Sequence, residues 1–163
     1  MASCVGASDY GTGTLKWQLP AQRLEAAGRL KVREKILVVD DSADTREMMA
    51  KLLELESFAV VTAEDGRAGI NMAEAEQPDL IITDINMPNL NGIQMIGILR
   101  KRSDLGDVPI LAITAYGSNI ASEAISAGAD RALTKPIEFD SLIDGIRHLL
   151  IEPRRGRHIN GNR

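Results

Sequence analysis

Acidic, hydroxyl and basic side chains stand at the ends of the apolar runs in this 163-residue chain. Asp40 and Asp41 follow "KILVV", Asp84 follows "LIIT", Thr114 follows "ILAI" and Lys135 follows "RALT". Carboxylates that share a pocket repel one another, and a bound cation removes that cost. Mg²⁺ favours carboxylate and phosphate oxygens as ligands. A carboxylate nucleophile, a hard metal ion, a lysine and a hydroxyl donor together suit phosphoryl transfer.

Asp84 is the best placed of these residues to accept a phosphoryl group, because its strand is expected in the middle of the sheet. Taken singly, each residue has an ordinary explanation. An aspartate at a strand end commonly forms a turn or caps a helix, a lysine is commonly solvated and a threonine commonly packs. Their shared position at strand ends favours one common site, where the backbone N–H of Ala115 adds a second donor beside Thr114.

The elements that must position these side chains alternate along the chain from Lys35. Apolar, β-branched runs predict strands over 35–40, 58–63, 79–84, 108–114 and 131–135. Helical spacing predicts helices over 42–56, 66–76, 92–102, 118–127 and 137–151. The nearly continuous apolar character of the first four strands predicts cover on both faces. On the first helix, Met48, Met49, Leu52 and Leu53 are predicted to form the buried face.

This alternation predicts a doubly wound (βα)5 α/β domain, a flavodoxin-like three-layer sandwich with parallel strand order 2-1-3-4-5. In such folds ligands bind outside the carboxyl ends of the strands. The pattern therefore places all the candidate side chains in one crevice.

The two ends of the chain differ in composition from residues 35–151. Residues 1–34 are predicted to be a flexible or partly helical extension, with a short docking helix as the alternative. Because the regular pattern begins only at Lys35, a misassigned start is also considered. Residues 152–163 carry four arginines and are predicted to be a basic flexible tail, with docking to an acidic partner as the alternative.

Composition excludes several function classes. A net charge of −4 and a pI near 5.2 argue against nucleic acid as the main partner, and 3% aromatic residues provide few stacking surfaces. The apolar runs are far shorter than the roughly 20 residues needed to span a bilayer. The single cysteine, Cys4, fits a reducing, cytoplasmic setting.

Four segments resemble the signatures of response-regulator receiver domains from two-component signalling: "ILVVDDS", "LIITDINMPNLNG", "ILAITA" and "GADRALTKP". The resemblance covers about residues 35–151. It implies that Asp84 is the phosphorylated residue and that Thr114 and Lys135 contact the phosphoryl oxygens. It also implies a cis Lys135–Pro136 bond, which proline allows at small cost.

The same resemblance implies a Mg²⁺ (or Mn²⁺) site beside the phosphorylated residue. Asp41 and Asp84 would ligate the metal together with the backbone carbonyl of Asn86, while Asp40 would act mainly through a bound water. The side chains of Asn86 and Tyr116 would lie at the pocket rim. There they would flank the path of the water that hydrolyses the acyl phosphate.

One position departs from the family pattern. The residue three before the lysine is usually an aromatic that rotates inward on activation, but here it is Ala132. Alanine has no rotamer to change, so strand five is expected not to report phosphorylation in this way.

The resemblance also implies protein partners. A sensor histidine kinase or histidine phosphotransfer protein would contact the helix after Asp41 and the loops around the pocket. A downstream target would contact the face built from 117–127, 131–135 and 137–150. Only a short segment follows Ile151, so we expect a stand-alone receiver, a monomer or weak dimer without direct DNA or membrane binding.

Two other function classes remain open from the sequence. One is an enzyme that uses an aspartyl phosphate transiently, as haloacid-dehalogenase-like phosphatases do. Such enzymes carry an acidic group two residues after the nucleophile, where this chain has Asn86. The other is a pseudo-receiver that binds partners without being phosphorylated, although the full set of acidic, hydroxyl and lysine residues argues against it.

Overall fold

Runs of valine, isoleucine and leucine form a parallel sheet in the computed structural model, which describes residues 33–115 and 117–151. The strands are β1 (Lys35–Val39), β2 (Ala59–Ala63), β3 (Leu80–Asp84), β4 (Ile110–Thr114) and β5 (Arg131–Thr134). Their order is β2-β1-β3-β4-β5, and every neighbouring pair is parallel. The predicted doubly wound topology is therefore confirmed.

The helices between the strands are α1 (Ala43–Leu55), α2 (Gly66–Glu76), α3 (Gly92–Leu99), α4 (Ser118–Ala127) and α5 (Phe139–Ile151). Ser42, Asp65 and Asn91 are the N-caps of α1, α2 and α3, because their side-chain oxygens accept hydrogen bonds from backbone N–H groups in the first turn of each helix. Three of the predicted helices were too long. After α3 the N–H groups of Lys101 and Arg102 bond to carbonyls only three residues back, α5 begins two residues late, and α1 loses one residue at each end.

Two apolar clusters fill the space on the two faces of the sheet. One cluster includes Leu37, Ile81 and Met95 and is covered by α2, α3 and α4. The other includes Ile36, Ile82 and side chains of α1 and α5. The central strands β3 and β4 are buried along their whole length, as the continuous apolar runs predicted.

Two burial predictions were wrong in part. Strand β2 is not covered on both faces, because it is an edge strand whose residues before Ala63 are half-buried or exposed. On α1, Met49 and Leu53 are buried, but the Met48 side chain is 55% exposed. Met48 lies one position around the helix, at the border of the apolar face.

Arg100 stabilises the amino ends of strands β4 and β5, at the end of the sheet opposite the candidate site. Its guanidinium donates to the carbonyl oxygens of Gly128 and Val108, at 2.7 Å each, and forms a 2.8 Å ion pair with Asp130. Asp130 also accepts the N–H of Ile110, the first residue of β4. This network connects the C-terminal end of α3 to the residues just before β4 and β5.

Several predictions fall on residues outside this description, namely the extension before residue 33, the tail after Ile151, and Tyr116. Among the described helices, none is long and apolar enough to cross a membrane.

Candidate functional site

The carboxyl ends of β1, β3 and β5 bring two aspartates and a lysine together. Asp40 directly follows β1, Asp84 is the last residue of β3, and Lys135 directly follows β5. The Lys135 Nζ atom lies 3.1 Å from Asp84 Oδ1 and 4.0 Å from Asp40 Oδ2. The predicted convergence of these side chains is thus observed.

The Asp84 carboxylate is almost fully enclosed, with 4% of the residue exposed. Its Oδ2 accepts the backbone N–H of Asn86 at 3.0 Å. Its Oδ1 has no hydrogen-bond partner among the described residues. Lys135 reaches ion-pair distance from that atom but not the geometry of a hydrogen bond. One oxygen is therefore held in place, while the other is free to form a new bond.

Asp40 is 5% exposed and is held by the chain around it. Its Oδ1 accepts the Ser42 N–H at 2.9 Å. Burial raises the pKa of the Asp40 carboxyl above its ordinary value. The charges of Asp84 and Asp41 act in the same direction, against the Ser42 hydrogen bond and the Lys135 charge. The charged form of Asp40 is thus energetically unfavourable in the folded protein, as expected for a carboxylate that a bound cation would neutralise.

The remaining predicted residues stand around this pair. Thr114 is fully buried at the end of β4, and its carbonyl oxygen accepts the Lys135 N–H at 2.8 Å. Ala115, Asp41 and Asn86 are exposed at the mouth of the crevice. The predicted cis Lys135–Pro136 bond is confirmed. Ala132 is half-buried in β5, in register with Ala112 of β4.

Four residues outside the predicted set of site residues support the site. Gly92 begins α3, and a Cβ atom there would overlap the Asp84 carbonyl oxygen. Thr83 is fully buried and donates its hydroxyl to that same carbonyl at 2.9 Å. Arg46 donates to the Asp40 carbonyl at 2.7 Å, and Ser42 caps α1. Only Ser42, an N-cap type before an apolar helix, had a recognisable sequence signal.

The donor set fits a hard divalent cation. Asp40, Asp41 and Asp84 offer carboxylate oxygens, and Asp84 Oδ1 is buried without a hydrogen bond. Within residues 33–115 and 117–151, no three acidic, histidine or cysteine side chains converge as a ready-made metal cage. Mg²⁺ commonly binds one or two carboxylates and keeps several waters, so it does not need such a cage.

Comparison with known proteins identifies the family. Residues 36–147 match the response regulator receiver domain. A probable transcriptional regulator, ycf27 of Guillardia theta, is 38% identical over 74% of this chain and 47% of its own length. Response regulator MprA of Mycolicibacterium vanbaalenii is 37% identical over 71% of this chain and 50% of its own. The chain thus spans about half the length of these relatives.

Solved structures give the same result. The chemotaxis protein CheY4 of Vibrio cholerae has a TM-score of 0.69 and 33% identity, and the match covers 72% of this chain and 99% of CheY4. The signal receiver domain of a histidine kinase from Syntrophus aciditrophicus also has a TM-score of 0.69, with 28% identity, over 77% of this chain and 96% of its own. This chain belongs to the response regulator receiver domain family of two-component signalling.

Proposed function

We propose that this chain is a phosphorylation-switched signalling protein that accepts a phosphoryl group on Asp84. The observation that carries the proposal is the enclosed Asp84 carboxylate, whose Oδ1 has no hydrogen bond among the described residues and faces Lys135 at 3.1 Å. A buried charge left in this state is a poor packing element but a suitable nucleophile.

The transfer exchanges one bond for another. An Asp84 oxygen attacks the phosphorus of a phosphohistidine, the new O–P bond forms, and the P–N bond breaks with its electron pair left on the imidazole. Lys135 pairs with the negative charge on the phosphoryl oxygens. The hydroxyl of Thr114 and the backbone N–H of Ala115 donate hydrogen bonds to the same oxygens, where charge builds up.

Asp41, Asp84 and the backbone carbonyl of Asn86 would hold the metal, with Asp40 contributing through a bound water. When bound, Mg²⁺ or Mn²⁺ supplies positive charge beside the phosphoryl oxygens. The hydrogen bond from the Asn86 N–H to Asp84 Oδ2 supports this arrangement, because it keeps the Asn86 backbone next to the carboxylate. We propose that Asn86 and Tyr116 affect the rate at which water hydrolyses the acyl phosphate.

The proposed partners are a histidine kinase or phosphotransfer protein as donor and a protein target for the output. A groove of about 310 Å³ borders Lys135 and supports docking of the donor along α1. It is lined mainly by apolar side chains, including the exposed Met48 and, on the facing side, Pro136 and Phe139. The chemistry stays on the chain's own aspartate, so we assign no turnover of a separate substrate.

Incubation with Mg²⁺ and acetyl phosphate, followed by intact-mass measurement, tests the proposal. We expect an adduct of roughly +80 Da that survives for minutes and is absent in Asp84→Asn. Asp107→Asn is the matched control, because Asp107 is an exposed loop aspartate and its variant should still be labelled. Turnover of many phosphoester molecules per chain would favour the enzyme class instead. No adduct on the folded wild type would favour the pseudo-receiver.

A further inference from the structure

Arg46 is linked to the acidic site by a hydrogen bond that spans six residues. Its Nη1 donates to the carbonyl oxygen of Asp40 at 2.7 Å. Its own backbone N–H donates to the carbonyl oxygen of Ser42 at 3.0 Å, within the first turn of α1. A single residue therefore joins the start of the helix to the end of β1.

This contact completes the fixing of Asp40. The Asp40 N–H donates to Ala63 of β2 at 3.2 Å, its Oδ1 accepts from Ser42, and its carbonyl oxygen accepts from Arg46. The Oδ2 atom is left to face Lys135 and the crevice. The carbonyl that Arg46 binds belongs to the peptide plane between Asp40 and Asp41. Holding that plane fixes the direction in which both carboxylates leave the chain.

The Arg46 side chain is suited to positioning more than to neutralising charge. Within residues 33–115 and 117–151 its guanidinium bonds a carbonyl oxygen and pairs with no carboxylate. It is half-buried, so the loss of its donor would leave a shielded carbonyl without its bond. Mg²⁺ demands near-ideal octahedral geometry, so a small rotation of the acidic pair lowers metal affinity.

We propose that Arg46 is a positioning residue for the metal site, which aligns Asp40 and Asp41 for a divalent cation through the peptide between them. This inference rests on the proposed function, since it takes the acidic pair as the metal site. It assigns to the first turn of α1 a role in metal affinity that is separate from donor docking.

A positioning role and a purely electrostatic role for Arg46 predict opposite changes in metal affinity when its side chain is removed. Removal of a positive charge near a cation site should tighten cation binding on Coulombic grounds. Removal of a positioning contact should weaken it, and loss of partners that orient ligands typically costs 10–100-fold in metal affinity. We therefore expect Arg46→Met to raise the dissociation constant for divalent metal by about tenfold.

The test uses the full, unphosphorylated chain. Mn²⁺ is titrated in, the free ion is measured by electron paramagnetic resonance, and Mg²⁺ is added in competition. Lys51→Met is the matched control, since Lys51 lies on the same helix, pairs with Glu47 and is strongly exposed. The control removes the same charge and should leave the affinity near that of wild type.

Circular dichroism establishes that each variant is folded. If Arg46→Met does not fold, Arg46→Lys takes its place and must also bind metal more weakly, because it keeps the charge but loses the planar fork of donors. Unchanged or tighter metal binding in the folded variant overturns the inference. If wild type binds metal and is phosphorylated on Asp84, that result leaves the proposed function intact. A wild type that binds no metal overturns this inference and the metal part of the proposed function together.

Discussion

At the scale of single residues, the buried Asp40 carboxylate lowers the stability of the folded protein, and the pH dependence of stability measures this effect. Burial, together with the charges of Asp84 and Asp41, raises the pKa of its carboxyl above the ordinary value. Between the ordinary and the raised pKa, the folded protein binds more protons than the unfolded chain. Stability therefore falls as pH rises through that window, and the full penalty is present once the pH exceeds the raised pKa.

We predict that Asp40→Asn raises the melting temperature of the metal-free protein at pH 7 by a few degrees. Asparagine removes the buried charge and keeps an oxygen to accept the Ser42 N–H. The difference from wild type should shrink as pH is lowered toward the ordinary carboxyl pKa, because the wild-type carboxyl is then protonated. Thermal unfolding followed by circular dichroism at several pH values measures this.

Added Mg²⁺ should reverse the ranking. A ligand that binds only the folded state stabilises it by RT ln(1 + [L]/Kd), so wild type, with the tighter metal site, should gain more than Asp40→Asn. Asp107→Asn, an exposed aspartate variant, serves as control and should follow wild type. A metal-free Asp40→Asn protein that melts below wild type would contradict the burial penalty.

At the scale of elements, the link between β3 and α3 sets the geometry of Asp84. The helix begins with a reciprocal cap between Asn91 and Gln94, and the Gly92 N–H returns to the carbonyl oxygen of Ile85 at 3.0 Å. The start of α3 is therefore packed directly on the peptide that follows Asp84. Gly92 occupies this position because its lack of a side chain permits the contact.

We predict that Gly92→Ala destabilises the fold by about 1–3 kcal/mol and slows labelling of Asp84 by acetyl phosphate. The added methyl group would overlap the Asp84 carbonyl oxygen and lie 2.9 Å from the Ile85 Cα atom, so the helix and the acceptor must separate. Urea denaturation and time-resolved intact-mass measurement give the two quantities.

Gly97→Ala is the matched control within the same helix. A Cβ atom at Gly97 meets nothing within 4 Å, so alanine should stabilise α3 by roughly 0.5–1 kcal/mol and leave labelling unchanged. Equal effects of the two substitutions would mean that the contact under Asp84 does not control the site.

The strands and helices also show which structural features the sequence pattern could predict. The runs that became β3 and β4 were predicted within two residues, because a strand buried on both faces has a continuous apolar signature. The β2 run has the same composition but lies at the edge of the sheet, and composition does not encode a strand's place in the sheet. Met48 was misassigned because the border of a helical stripe depends on the neighbouring elements.

At the scale of the whole molecule, topology made most of the candidate site predictable. Parallel strands of known order bring their carboxyl ends together, so Asp40, Asp84, Thr114 and Lys135 could be grouped from sequence. The buried Asp84 Oδ1 atom, which has no hydrogen bond among the described residues, and the contact of Arg46 with Asp40 could not be predicted. Both depend on side-chain directions that are fixed only when the helices pack on the sheet.

The two apolar clusters lead to a prediction about the domain boundary. Their described members all lie between Ile36 and Leu150, on the two faces of one sheet. A segment that contains its own core is expected to fold alone. We predict that residues 33–151, produced without the flanking segments, unfold in one cooperative transition within about 4 °C of the full chain, a shift equivalent to about 1 kcal/mol or less. Calorimetry of both forms measures this.

The same shortened protein should be labelled on Asp84 as fast as the full chain, because the pocket residues Asp40, Thr114 and Lys135 remain in it. A much lower melting temperature with normal labelling would assign a stabilising role to the flanking segments. Normal stability with slower labelling would assign them a role at the crevice instead. Either result would disprove the boundary at residues 33 and 151, since the boundary requires that stability and chemistry both reside in this one sheet and its five helices.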